Sequence, residues 1–138
     1  MGSDSYLLIV MHRIVNQLDR KILARCKLHG LTIGQFGVLE ALHSKGDLTV
    51  GQVKKAILSS DGTIPVIVKN LESRNLIRKM EDPADGRKCI LAITTEGRAL
   101  VNAVYPESTA VVEAEFSVWS ESEKRQLVRL LSKFRREE

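Results

Sequence analysis

Between Ser60 and Leu76 the apolar positions Ile64, Ile67, Val68 and Leu71 fall at i, i+3, i+4 and i+7, the spacing of one buried helix face. The opposite face carries Thr63, Pro65, Val66, Lys69, Asn70 and Ser73: small or polar groups and one cation, with no acid before Glu72. Ser60 or Asp61 is the expected N-cap. Pro65 lacks an N–H and is harmless only in a first turn, so regular helix starts no earlier than about Asp61. Asn75 stands where a left-handed cap is expected, a conformation that Asn tolerates next best to Gly. Such a stretch reads either as an ordinary amphipathic surface helix or as a helix shaped to lie in the major groove of DNA.

The neighbouring patterns place it. Tyr6 to Lys27 predicts a long first helix with a stripe of Leu7, Met11, Ile14, Leu18, Ile22 and Cys26, widened by Leu8, Val15 and Leu23. A stripe that wide needs a large partner surface, such as a second protomer. Thr32-Ile33-Gly34-Gln35 is a capping box, opening a second helix with Phe36, Leu39 and Leu42 inward and an end near Gly46. The device recurs at Thr49-Val50-Gly51-Gln52, ahead of a short third helix carrying Val53, Ala56 and Ile57.

After the fourth helix come two β-prone runs, Ile77 to Met80 and Lys88 to Ile93, separated by Asp82-Pro83 and Asp85-Gly86 turn signals. Helix-turn-helix followed by a hairpin is a winged helix. Thr94 caps the next predicted helix (Leu100, Val101, Val104, Val111, Val112, Phe116), which Pro106 is expected to kink or interrupt. A third capping box, Ser120 to Glu123, opens a last helix with Leu127, Leu130, Leu131 and Phe134 on one side and mostly basic residues on the other. The expected fold is therefore mainly α with a small β-hairpin wing. Residues 31–94 form the winged helix-turn-helix, and 1–30 with 95–138 form a helical dimerisation region.

Composition narrows the function. The formal charge is +4 with a pI near 9.2, which admits an anionic partner without demanding one. Cys26 and Cys89 make no CxxC pair, and His12, His29 and His43 are dispersed, so neither a disulfide framework nor a metal site is expected. No cofactor signature is present. There is no phosphate-binding Gly loop, nucleophile turn or H-E-x-x-H, so an enzyme is not expected. No apolar run is long enough to span a membrane, and no secretory leader pattern opens the chain; a cytoplasmic protein is expected.

Three segments carry a resemblance: LTIGQFGVLEAL (Leu31 to Leu42), TIPVIVKNLESRNLI (Thr63 to Ile77) and DPADGRKCILAITTEG (Asp82 to Gly97). In this order they resemble the MarR family of bacterial transcription regulators, over nearly the whole chain. The last matches that family's wing, an Asp-x-Arg followed by a strand and Thr-x-x-Gly. The resemblance implies a homodimer with interlocked terminal helices, two winged helices on a palindromic operator, and repression relieved by a small phenolic or aromatic effector. It also implies that Arg87 enters the minor groove, steadied by Asp85. Two departures stand out. Asn75 replaces the family's common Gly, and Asp61 puts an acid at the start of the reading helix.

The residues expected to meet DNA are then Ser60 and Thr63 as hydroxyl donors, Pro65 and Val66 as apolar contacts to thymine methyls, and Lys69 toward phosphate. At the wing they are Arg87, Asp85 and Lys88. Candidates for an effector pocket, drawn from the junctions between the two regions, are His12, Arg13, His29 and Phe36. Two alternatives stay open. One is a winged helix that binds protein rather than DNA. The other is a thiol switch at Cys26, whose pKa Arg25, Lys27 and His29 would lower.

Overall fold

The structure is a computed structural model that describes residues 2–57 and 64–134. Its elements are α1 (Ser3–Leu28), α2 (Ile33–Lys45), β1 (Leu48–Thr49), α3 (Val50–Ala56), α4 (Ile64–Ser73), β2 (Ile77–Glu81), β3 (Cys89–Ile93), α5 (Thr95–Phe116) and α6 (Glu121–Leu131), then a 3-10 turn at Ser132–Phe134. The arrangement is mainly helical, with a small three-stranded antiparallel sheet.

Three capping boxes set three of the helix starts. Thr32, Thr49 and Ser120 each accept from the backbone of the residue three positions on. Gln35, Gln52 and Glu123 each return a bond to the cap's own N–H. Thr94 caps α5 by accepting from Gly97 N. The expected cap of α4, at Ser60 or Asp61, lies outside the described residues.

Two helices end in the same way. Gly30 has φ +74°; its N–H donates to Lys27 O and the N–H of Leu31 to Cys26 O. Asn75 has φ 59°; its N–H donates to Glu72 O and the N–H of Leu76 to Leu71 O. Both are Schellman caps, with a left-handed residue just past the helix and an apolar residue folded back after it.

The apolar stripe of α4 is buried as expected at Ile64, Ile67, Val68 and Leu71. It packs on α2, the hub of the chain, which also touches α1, α3, α5 and β3. Leu39, Leu42, Ile64, Leu71, Ile77, Leu91, Val53, Val101 and Val104 are all sealed from solvent in this one core.

The hairpin of β2 and β3 forms with Ile77 opposite Ile93 and Glu81 opposite Cys89. A third strand was not expected. Leu48 and Thr49 pair with Leu91 and Ile90, so β3 is central in the order β1-β3-β2. The expectation that Pro106 interrupts its helix is half corrected, since α5 runs unbroken from Thr95 to Phe116 with Pro106 inside. One missing backbone bond is tolerated in a helix held on both sides by α1 and α2.

Apolar side chains are far less covered at the ends of the chain. In α1 only Cys26 is buried, while Leu7, Leu8, Met11 and Val15 stay about half exposed. In α6 no residue is buried, and Val128, Leu130 and Leu131 stand open.

Candidate nucleic-acid interface

On α4 the inward stripe leaves a free outer surface. Pro65, Val66, Lys69 and Ser73 are all exposed, Val66 to 70%. The exposed Val beside a Pro gives this face an apolar surface that suits the thymine methyls of a major groove. Asn70 sits at the edge of that surface, where it is half buried because its Oδ1 accepts from Gln35 Nε2 at 3.1 Å. Ser60 and Thr63 lie outside the described residues.

The wing tip is built by aspartates rather than by a left-handed glycine. Asp82 Oδ1 accepts from Ala84 N at 2.8 Å, and Lys88 N donates to Asp85 O at 3.0 Å. Gly86 does not adopt positive φ. Asp85 Oδ1 accepts from both the backbone N–H and the Nε of Arg87, at 3.1 and 3.3 Å. The Arg87 side chain is 93% exposed, so its terminal nitrogens project from the tip. Asp85 and Arg87 are thus in contact, with Lys88 exposed beside them.

Sequence reasoning overlooked Lys55. It shares the rim of an open groove of about 520 Å³ with Arg87, Lys88 and Gln52, between the start of α3 and the base of the wing. The Lys54-Lys55 doublet just ahead of the reading helix was the available signal. Arg78 and Lys79 are exposed on β2, one of the two edge strands of the sheet. Basic groups therefore line the wing and the groove at its base.

The candidate effector residues do not converge within one chain. His12 and Arg13 are exposed on α1, roughly 25 Å along the helix from His29. His29 is half buried, with Nε2 3.0 Å from Glu107 Oε2 of α5. Phe36 is enclosed in the core. None of the four lines the apolar cleft of about 180 Å³ between α1 and the end of α5, formed by Ile14, Leu18, Phe116 and Trp119 with Glu115 and Gln17 at its polar edge. Glu115 pairs there with Lys21, which holds its carboxyl below the ordinary range.

The environment of Cys26 reverses the expected pKa shift. The thiol is fully buried, and burial pushes its pKa up despite the nearby basic residues. Arg25 and Lys27 point their charges to solvent, where water screens them. Among the described residues no cluster of His, Cys, Asp and Glu could hold a metal ion, and no helix is long and apolar enough to cross a membrane.

A helix-turn-helix presenting an apolar and cationic outer face beside a basic wing defines a winged-helix DNA-binding protein. Comparison with known proteins gives the family. A model described as the MarR family matches residues 29–88. The HTH-type transcriptional regulator MhqR of Bacillus subtilis is 32% identical over 127 residues, spanning 92% of this chain and 88% of that protein. The HTH-type transcriptional repressor NicR of Pseudomonas putida is 33% identical over 103 residues, covering 75% of this chain and 65% of that one. A solved structure of Bordetella bronchiseptica BpsR, described for regulation of its DNA binding by 6-hydroxynicotinic acid, superposes with a TM-score of 0.86 at 27% identity, covering 96% and 95% of the two chains. That of the Staphylococcus aureus MepR–DNA complex gives 0.83 at 26% identity, covering 96% of each. The chain belongs to the MarR family. It is a DNA-binding transcription regulator of that family and not an enzyme.

Proposed function

We propose that the protein is a homodimeric, cytoplasmic repressor that grips a palindromic operator and lets go when a small hydroxylated aromatic compound binds. Residues 31–94 serve as the DNA-binding region, and 1–30 with 95–138 as the dimerisation region. The observation that carries the reading is the outer face of α4, with Val66 70% exposed while the four apolar residues behind it are buried. In this reading Ser60, Thr63, Pro65, Val66 and Lys69 meet the major groove and its phosphates. Arg87, oriented by Asp85 and flanked by Lys88, enters the adjacent minor groove, whose narrow A·T stretches attract a guanidinium.

Two facts support the dimer. The apolar face of α1 is open along its N-terminal half, and no residue of α6 is buried within its own chain. A pair of reading helices about 34 Å apart would match one turn of duplex. For the effector, BpsR is described as regulated by 6-hydroxynicotinic acid and NicR is named a repressor. His29 is the one candidate pocket residue placed at a junction, between α1 and α5, where a bound acid or phenol would compete with Glu107. His12 and Arg13 lie roughly 25 Å along α1 from that seat, and Phe36 is enclosed in the core.

The test is selection of bound sites from random duplex DNA, followed by release with a panel of phenols and hydroxylated aromatic acids. A palindromic consensus with A·T-rich flanks is the expected product. Enrichment of no sequence, at low salt, would overturn the reading.

A further inference from the structure

The cation that ends the reading helix is not aimed at the DNA side. Arg74 lies eight residues beyond Val66, about 80° round the helix from it, whereas Lys69 lies on the opposite flank. Arg74 Nη1 instead donates to Gly30 O at 3.0 Å. Gly30 is the left-handed residue of the Schellman cap of α1, and Arg74 immediately precedes Asn75, the left-handed residue of the cap of α4. The two helix ends are therefore tied to each other through their caps. The same turn is tied to α5 by His29 and Glu107, at 3.0 Å. One helical turn back on α4, Asn70 is bonded to Gln35 at the start of α2.

We infer that Arg74 is a positioning residue for operator recognition, fixing the reading helix to the end of the arm formed by α1. Resting on the dimeric, operator-binding reading above, its consequence is specific. The arm carries the open apolar face, so the angle between α1 and α4 sets the separation of the two reading helices. A guanidinium suits this task. Its planar fork reaches a backbone carbonyl with little loss of freedom, and a carbonyl at a left-handed cap has no helical partner of its own. Glycine is called for at position 30 by its φ of +74°; a Cβ there would make an ordinary contact with the Arg74 guanidinium at 3.4 Å.

The experiment compares the parent, Arg74→Ala and Arg74→Lys on selected operators whose half-sites are moved apart or together by one base pair. Arg74→Ala is expected to weaken binding to the parental spacing about 5- to 10-fold. Its spacing preference should flatten, and the slope of log affinity against log salt should stay unchanged. Lys, which keeps a cationic N–H donor without the planar fork, should restore part of the preference. A phosphate contact would instead lose affinity equally at every spacing and reduce the salt slope by about one, and that result would overturn the inference. So would an unchanged spacing profile.

A second measurement does not depend on DNA. Nitroxides are placed at Arg20→Cys and Val66→Cys, with Cys89 replaced by Ser and labelled chains diluted in unlabelled ones. They should report a broader α1–α4 distance distribution in Arg74→Ala than in the parent. Equal widths would sink the tie. If the parent binds no DNA sequence, the operator reading fails, while this distance comparison still decides the link.

Discussion

One carboxylate oxygen of Asp85 accepts from Arg87 twice, from the backbone N–H at 3.1 Å and from Nε at 3.3 Å. The arrangement uses the inner nitrogen of the guanidinium and leaves the outer two free. At so exposed a position the pair adds little stability, within about 1 kcal/mol. Its value lies in holding an extended side chain at the tip before DNA arrives. Arg87→Ala should cost about 1 kcal/mol or more of operator affinity with no change in the urea midpoint. Asp85→Ala should lose a smaller part of the same affinity, because Arg87 remains but wanders. Equal binding by Arg87→Ala and parent in a gel-shift titration would remove the wing from the interface.

The start of α5 is pressed against the end of the reading-helix segment. A Cβ on Gly97 would lie 2.3 Å from Leu76 O and 2.7 Å from Ile93 Cγ1. The carbonyl cannot retreat freely, since it accepts from Thr94 N, and Thr94 Oγ1 also donates to Asn75 O at 2.8 Å. Gly97→Ala should therefore destabilise by about 3 kcal/mol or more, through overpacking that backbone must absorb. Thr94→Ala should cost about 1–2 kcal/mol, the scale of a lost N-cap. Urea denaturation followed by circular dichroism measures both.

Which features could be read beforehand follows from how local they are. The capping boxes at Thr32, Thr49 and Ser120 are complete within four residues, so their spacing alone specified them. The buried stripe of α4 was legible for the same reason. The strand Leu48–Thr49 was not, because two residues acquire strand character only by pairing with Ile90 and Leu91, far along the chain. Arg74 was passed over because its partner is the Gly30 carbonyl, 44 residues away. Pro106 misled because helix propensity is a local quantity and packing of α5 on α1 and α2 is not. The pairing of Asp85 with Arg87 came from the family resemblance, and the contact itself is local, between residues two apart.

Asn75 offers a cleaner test of backbone chemistry. Its φ of 59° is the only positive value held by a non-glycine among the described residues. A side chain without a local polar group pays about 1–2 kcal/mol in that region. Asn75→Ala should lower stability by about 1 kcal/mol, whereas Asn75→Gly should match or exceed the parent to within about 0.5 kcal/mol. The bond from Thr94 uses the backbone carbonyl of Asn75, so both variants keep it. Two destabilised variants of equal size would show that the Asn side chain itself is needed.

The two thiols should separate by reactivity. Cys26 is sealed in the core and its pKa is raised by burial, while Cys89 is half exposed beside the groove at the wing base. A disulfide reagent at neutral pH should label one thiol per chain quickly, at Cys89, and the second only on unfolding. The sign of the pH effect follows. A folded-state pKa above the unfolded one gives a contribution that is full below the ordinary thiol pKa and is lost as pH rises through the folded value. Stability should thus fall on the alkaline side, and less so in Cys26→Ala. Rapid labelling of Cys26 in the native protein would reopen the thiol-switch alternative.

The open face of α1 leads to the remaining test. Met11 is 45% exposed, flanked by Leu7, Leu8 and Val15, each more than half exposed. Four such residues on one helix expose an apolar patch of the kind that marks an interface. If a second copy covers it, Met11→Glu buries a carboxylate twice per dimer, once from each symmetric subunit, at several kcal/mol in total. Light scattering should then show the mass of a single chain at concentrations where the parent is a dimer. Operator affinity should fall with it, since one winged helix holds only one half-site. The inward contacts of α4 lie elsewhere, so isolated chains that stay folded would still bind DNA weakly and without preference for a palindrome. A dimeric Met11→Glu with parental affinity would place the subunit interface away from this face.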